Sequence, residues 1–211
     1  MSGAAAARHK PWRSLRRERE AASFGTWIFI GSEAMFFAGA LLGYAVYRTL
    51  WPEAFAEAGR ETNLVYGTVN TALLLTSSLT MAVAAEGARA RLRRLTLICL
   101  AATAVLGLAF LVVKGLEYRE DIHKHLVPGP GFKLAGTPAA QIFFAFYWLA
   151  TGVHALHLSI GIVIVGTLLV QAWRGASPLA SPAFESAGLY WHFVDLVWIF
   201  LYPLLYLVGR S

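Results

Sequence analysis

The sequence predicts an all-α fold, an integral membrane bundle of five transmembrane helices, and three observations carry that expectation. The 211 residues are 57% hydrophobic and only 14% charged. The charges fall in short segments that separate five long apolar runs. Each run is long enough, at 1.5 Å per helical residue, to cross a hydrocarbon core of ~30 Å. One domain suffices for a chain of this length and composition. The single cysteine, Cys99, lies inside an apolar run. It excludes a disulfide within the chain and most thiolate metal sites, and reads as a small buried hydrophobe. A net charge of +6 in a soluble protein would point to nucleic acid. Here the basic residues flank the spans, so membrane orientation explains them and no nucleic-acid partner is expected.

Residues 1–22 read as a basic cytoplasmic N-terminal tail carrying Arg8, Lys10, Arg13, Arg16, Arg17 and Arg19. The apolar run behind them is too long for the core of a signal peptide, contains an acid, and ends without a clear small-residue cleavage site. It is therefore a retained first span, 23–47, reading SFGTWIFIGSEAMFFAGALLGYAVY. Between Glu20 and Arg48 its only formal charge is Glu33. Ten residues into the helix, Glu33 lies about 15 Å deep, near the bilayer midplane. An ionised carboxylate there costs about 2–3 kcal/mol, so the residue is neutral, paired or beside water. Two readings stand: a neutral acid hydrogen-bonded within the bundle, or a protonatable site that serves proton movement. Gly39 and Gly43 form a GxxxG, a weak signal of close helix approach.

A loop with Pro52 and mixed charges ending at Glu61 leads to the second span, 63–85. Its NTALLLTSSLT segment, 70–80, places Asn70, Thr71, Thr76, Ser77, Ser78 and Thr80 in one run. In lipid such side chains bond to other helices or to their own backbone. No nucleophile elbow accompanies the serines. After the basic loop of Arg89, Arg91, Arg93 and Arg94, the third span, 95–117, closes on Lys114, Glu117 and Tyr118. The segment 119–138 is the longest polar stretch and reads as a solvated loop, with His123 and His125 lacking the further ligands a metal needs.

Thr137 and Pro138 form an N-cap and first-turn pair that opens the fourth span, 138–173. At roughly 54 Å it must tilt or protrude from the core. Its centre, TGVHALHLSIG, sets His154 and His157 three residues apart on one face. Ser177-Pro178 and Ser181-Pro182 precede the fifth span, 183–208, where YWHFVDLVW sets His192 and Asp195 three apart. The inner segments hold eleven Lys and Arg and the outer ones seven, with the bias strongest at the first helix. The N-terminus is accordingly expected in the cytoplasm and the C-terminus outside.

The ionisable residues of the membrane core are thus Glu33, His154, His157, His192 and Asp195. Two stacked haems need four axial ligands, more than three histidines supply. A single metal on His154, His157 and Glu33 or His192 is geometrically allowed. Nothing in the sequence separates that arrangement from a hydrogen-bonded Glu–His pair, in which Glu33 meets His154 or His157. HExxH, a P-loop and GxGxxG are absent.

Five segments occur in order: WIFIGSEAMFF (27–37), NTALLLTSS (70–78), LGLAFLVVKGLEY (106–118), FYWLATGVHALHL (146–158) and YWHFVDLVWIFLY (190–202). Together they resemble subunit III of the haem–copper cytochrome c and quinol oxidases, over roughly residues 23–208, in its short five-helix bacterial form. Lys114 stands where many members carry Gln. The resemblance implies an accessory subunit of a respiratory terminal oxidase in the bacterial inner membrane. It would carry no catalytic residue and no cofactor of its own beyond structural phospholipid held between helices. Haem and copper would reside in its partner, the catalytic subunit I, with subunit II as a further neighbour. It also implies that Glu33 matches the family's buried carboxylate, that His154, His157, His192 and Asp195 match its intramembrane polar set, and that the subunit supports proton uptake and sustained turnover. Asn70, Glu117, Tyr118 and Trp191 are polar candidates for interfaces or loops. Cytochrome c and quinol oxidases share these motifs, and subunit-III-like proteins of nitric oxide reductases are compatible with them. An autonomous proton or ion transporter would explain midplane acid and imidazoles, but five spans without an internal repeat fit that architecture poorly. A plain assembly or anchor protein remains a third class.

Overall fold

The computed structural model describes residues 15–134, 138–175, 179 and 181–210, without the side chains of 15–19 and 22. Arg8, Lys10, Arg13, the Thr137 cap and the Ser177-Pro178 pair lie outside the described residues. All regular structure among them is helical: α1 (Leu15–Leu50), α2 (Pro52–Glu61), α3 (Leu64–Arg89), α4 (Arg93–His123), α5 (Pro138–Arg174) and α6 (Pro182–Tyr206). Five of the six are long and apolar enough to span a membrane.

The short helix α2 corrects the expected loop. Pro52 starts it at a position where no amide donor is needed. Its apolar face, Phe55, Ala58 and Gly59, is fully enclosed. Phe55 packs edge-on against Tyr44 and Phe143, with ring centroids 5.3 and 5.6 Å away. Gly59 is required by close approach, because a Cβ there would lie 2.7 Å from the Val208 carbonyl oxygen. The C-terminal strap returns the contact: the Arg60 Nε donates to Gly209 O at 2.7 Å, and Arg210 donates to the carbonyl oxygens of Arg60 and Thr62 at the end of α2.

Helix α4 extends past the expected end at 117 to His123. It stops in a Schellman motif, with Leu126 N donating to Asp121 O at 3.0 Å and His125 N to Ile122 O at 3.1 Å. Helix α3 ends the same way, Leu92 N on Gly87 O at 2.8 Å and Arg91 N on Ala88 O at 3.1 Å. Both motifs need a left-handed residue, and here it is Arg91 (φ 57°) and His125 (φ 56°) instead of glycine. The stretch after α4 is no free solvated loop either. Leu126 and Phe132 are buried, Trp148 Nε1 donates to Leu126 O at 3.2 Å, and Phe132 packs on Phe144. His123 and His125 themselves are exposed.

Helix α6 is the centre of the bundle and α1 its periphery: 56% of the most apolar window of α6 is buried, against 11% for α1. Helices α3 and α4 pair as an antiparallel hairpin, α5 packs on α4 and α6, and α1 lies along α6 and α5. The inward seam of α1 is Ile30, Phe37, Leu41 and Tyr44, spaced by three, four and seven residues as a helix face requires. Gly43 meets Phe146, but nothing among the described residues comes within 4 Å of a Cβ at Gly39, so the GxxxG makes no close crossing among them. The polar run of α3 works as interior glue. Thr71 accepts from Trp198 Nε1 and Ser77 from Trp191 Nε1, both at 3.1 Å. Thr80 bonds Thr103 on α4 at 2.8 Å, while Thr76 turns back to its own backbone.

Candidate functional site

Glu33 projects from α1 toward α5, and its Oε2 lies 3.0 Å from His157 Nε2. The other ring nitrogen of His157, Nδ1, sits 2.8 Å from Val153 O one turn earlier on α5. A carbonyl only accepts, so Nδ1 carries a proton. The Glu33–His157 contact then closes on a single further proton, as imidazolium with carboxylate or imidazole with carboxylic acid. The pair is partly shielded, with 24% of the Glu33 and 13% of the His157 side chain exposed. Phe37 stands edge-on to the imidazole at 5.5 Å, and Tyr190 Oη donates to the His157 carbonyl at 2.9 Å. One proton held at a seam between two helices is what this arrangement does chemically.

The other intramembrane candidates are dispersed. His154 is fully buried between Phe110 and Trp198, with ring centroids 5.6 and 5.1 Å away, and its nitrogens have no hydrogen-bond partner among the described residues. Asn70 is equally buried, and its side-chain atoms have no hydrogen-bond partner among the described residues. His192 meets Ser78 Oγ through Nδ1 at 2.8 Å, and Asp195 is buried one turn further along α6. No three His, Cys, Asp or Glu side chains converge among the described residues. The described intramembrane imidazoles address different helices, so among the described residues no donor set fits a haem or copper ion. Trp191 and Asn70, expected at interfaces or loops, are core residues.

Glu117 also belongs to the core, with Tyr118 partly buried against it, and so do Lys114 and Asp121, which fall at the expected span end and in the expected polar loop. Lys114, Glu117 and Asp121 are each no more than 2% exposed. Lys114 Nζ donates to Glu117 Oε2 at 2.9 Å, Tyr147 Oη at 3.0 Å and Tyr206 Oη at 2.7 Å. Tyr147 Oη in turn meets Glu117 Oε1 at 3.0 Å and Asp121 Oδ2 at 2.8 Å. Tyr118 closes the flank, its hydroxyl 2.7 Å from Thr151 Oγ1. The signal was the spacing 114, 117, 121, which places three charges on one helical face once α4 is allowed to continue.

An all-helical, multi-pass membrane bundle with a polar interior, and with no converging ligand set among the described residues, is the class that fold and site define. The family model described as Cytochrome c oxidase subunit III matches residues 17–210. Among its relatives, the cytochrome bo(3) ubiquinol oxidase subunit 3 of Pseudomonas aeruginosa is 31% identical over 188 residues, covering 88% of this chain and 84% of the relative. Cytochrome c oxidase subunit 3 of Bacillus subtilis is 33% identical over 193 residues, covering 88% and 85%. Quinol oxidase subunit 3 of Bacillus spizizenii is 33% identical over 192 residues, covering 88% and 86%. The chain belongs to the cytochrome c oxidase subunit III family, and so to a haem–copper oxidase complex of a bacterial membrane.

Proposed function

We propose that the chain is the accessory subunit III of a respiratory haem–copper terminal oxidase, docked on the catalytic subunit I and close to subunit II. It conducts no redox chemistry itself and supports proton uptake and sustained turnover by its neighbour. The single observation that carries this reading is a family match spanning all five membrane helices. The dispersal of His154, His157 and His192 onto separate partners agrees with it. Relatives named for cytochrome c and for quinol stand at the same similarity, so the proposal is for the oxidase class and not for one electron donor.

The N-terminus is assigned to the cytoplasm on the basic residues before α1, with the α2 end of the bundle outside. A structural phospholipid has a place against the apolar groove between α1, α5 and α6 lined by Phe29, Ile160, Ile164 and Ala187, where Thr26 bonds Ser186 at 3.1 Å. The test is mild detergent extraction with capture on this chain, followed by composition and visible spectrum. A haem-bearing polypeptide is expected to co-purify, and the separated chain to be colourless. A haem-free chain that purifies alone and moves ions in liposomes would overturn the reading in favour of an autonomous transporter.

A further inference from the structure

We infer that the buried Lys114–Glu117–Asp121 cluster is a proton-binding site, holding one proton shared between the two carboxyl groups across the Tyr147 hydroxyl.

The inference follows from matching donors to contacts. All three ammonium protons of Lys114 are engaged, on Glu117 Oε2, Tyr147 Oη and Tyr206 Oη. Three contacts are left: the Tyr206 hydroxyl, with its own proton, bonds Glu117, and Tyr147 Oη lies 3.0 Å from Glu117 Oε1 and 2.8 Å from Asp121 Oδ2. A phenol carries one proton, and an ionised carboxylate is an acceptor only. The one Tyr147 proton cannot lie in both contacts at once, whereas a carboxylic acid on one side supplies the missing donor. Tyr147 then accepts from the acid and donates to the carboxylate, and the two roles exchange if the proton crosses.

Charge requires the same proton. With both carboxyls ionised, the site would bury two negative charges against one positive charge, away from water. Like charges sharing a site keep a proton, and an uncompensated buried charge is strongly disfavoured. With one proton added, the cluster is neutral. Among the described residues no second cation bonds the cluster, and Lys124, which acts on Asp121 from a distance, has its own carboxylate partner. On α4, Tyr118 turns to Thr151, and Lys124 beyond the helix end is bound by Glu120 at 2.6 Å, a contact that holds its ammonium above the ordinary range. On α5 the next ionisable group is His154, stacked near Trp198. From α3 the neighbour of Tyr206 is Gly67. The aromatic rings of Tyr118, Tyr147, Trp198 and Tyr206 lie 4.5–5.8 Å from Lys114 Nζ and add no formal charge to the site.

The test is infrared difference spectroscopy of the purified complex near neutral pH, parent minus variant, so that Glu33 and Asp195 cancel. Glu117→Gln and Asp121→Asn each leave one carboxylate opposite Lys114 and bring an amide donor for Tyr147. Each is therefore expected to remove one carboxylic-acid C=O band that shifts in heavy water. Tyr147→Phe keeps the proton but removes the hydroxyl it bonds, so the band is expected to move to higher frequency without losing area. Raising the pH of the parent should discharge the band. Unchanged acid absorption in the two carboxyl variants, or an unmoved band in Tyr147→Phe should neither of them assemble, would overturn the inference.

Discussion

Glu33 and His157 join α1 to α5 with 3.0 Å between Oε2 and Nε2, midway between two other attachments of the same helix. Thr26 meets Ser186 on one side, and Tyr44 donates to the Leu204 carbonyl on the other. Positions 26, 33, 37 and 44 follow heptad-like spacing, so α1 is held by polar contacts along one face and offers Trp27, Ile28, Met35 and Phe36 outward. A pair in this position fastens a peripheral helix and keeps one proton at its seam.

For that reason Glu33→Gln is expected to leave the first turnovers of the oxidase intact. Glutamine keeps the volume and donates to a neutral His157, while Glu33→Ala also removes the contact and loosens α1. Losses should appear in assembly, lipid retention or activity over many turnovers, and be larger for Ala. Oxygen consumption of the purified complex, followed from the first turnovers, checks this. An immediate and complete block by Glu33→Gln would assign the residue a direct catalytic role.

The two helix ends give a stability prediction of opposite sign. Arg91 and His125 occupy left-handed positions that cost a side-chain-bearing residue about 1 kcal/mol relative to glycine. Arg91→Gly and His125→Gly are expected to raise stability by about 0.5–1 kcal/mol each, less the extra freedom glycine gains on unfolding. Thermal unfolding of the detergent-solubilised complex, read on this subunit, measures it. A lowered midpoint for both would show that the side chains matter more than the backbone.

Much of this architecture was legible in the sequence, because a span announces itself by length and apolarity alone. Glu33 and the histidines also stood out, since any ionisable residue inside such a run is conspicuous. Which imidazole Glu33 meets was not legible: His154 and His157 share a face of α5, and only the placement of α1 beside α5 and α6 selects His157. Two elements were missed for separate reasons. Helix α2 has charges on its outer face and breaks the apolar pattern, although Phe55 and Ala58 carry its inner face. The end of α4 was set too early because Lys114, Glu117 and Asp121 look like loop charges when counted along the chain. Placed on a helix they fall together, and Schellman ends without glycine leave no sign in the sequence.

His154 supplies a third prediction. A buried imidazole without a hydrogen-bond partner among the described residues is a destabilising element, unlike a partnered one. His154→Phe replaces it with a ring of similar shape between Phe110 and Trp198. The expected outcome is unchanged or raised thermal stability, with no loss of oxidase activity. A drop of more than about 2 kcal/mol would show that His154 has a bonded partner in the assembled protein, such as an internal water.

Lys114 carries the last prediction. Its ammonium is the charge that balances the carboxyl pair, so Lys114→Met, which keeps the length of the side chain, leaves Glu117 and Asp121 without a cation. Removing one partner of a buried pair costs about 3–5 kcal/mol, whereas replacing the whole set by groups of matching polarity is far milder. Lys114→Met alone is therefore expected to lower the midpoint of unfolding sharply or to prevent assembly. Glu117→Gln added to Lys114→Met should recover most of the loss, because one carboxyl then remains and can stay protonated on Tyr147. The Lys114→Gln variant should sit between the two, since its amide still donates to Glu117 but carries no charge. Assembly yield and unfolding of Lys114→Met, Glu117→Gln and their double variant, each against the parent complex, make a cycle that isolates the Lys114–Glu117 coupling. Additive losses, with no recovery in the double variant, would show that Lys114 acts through packing and not through its charge.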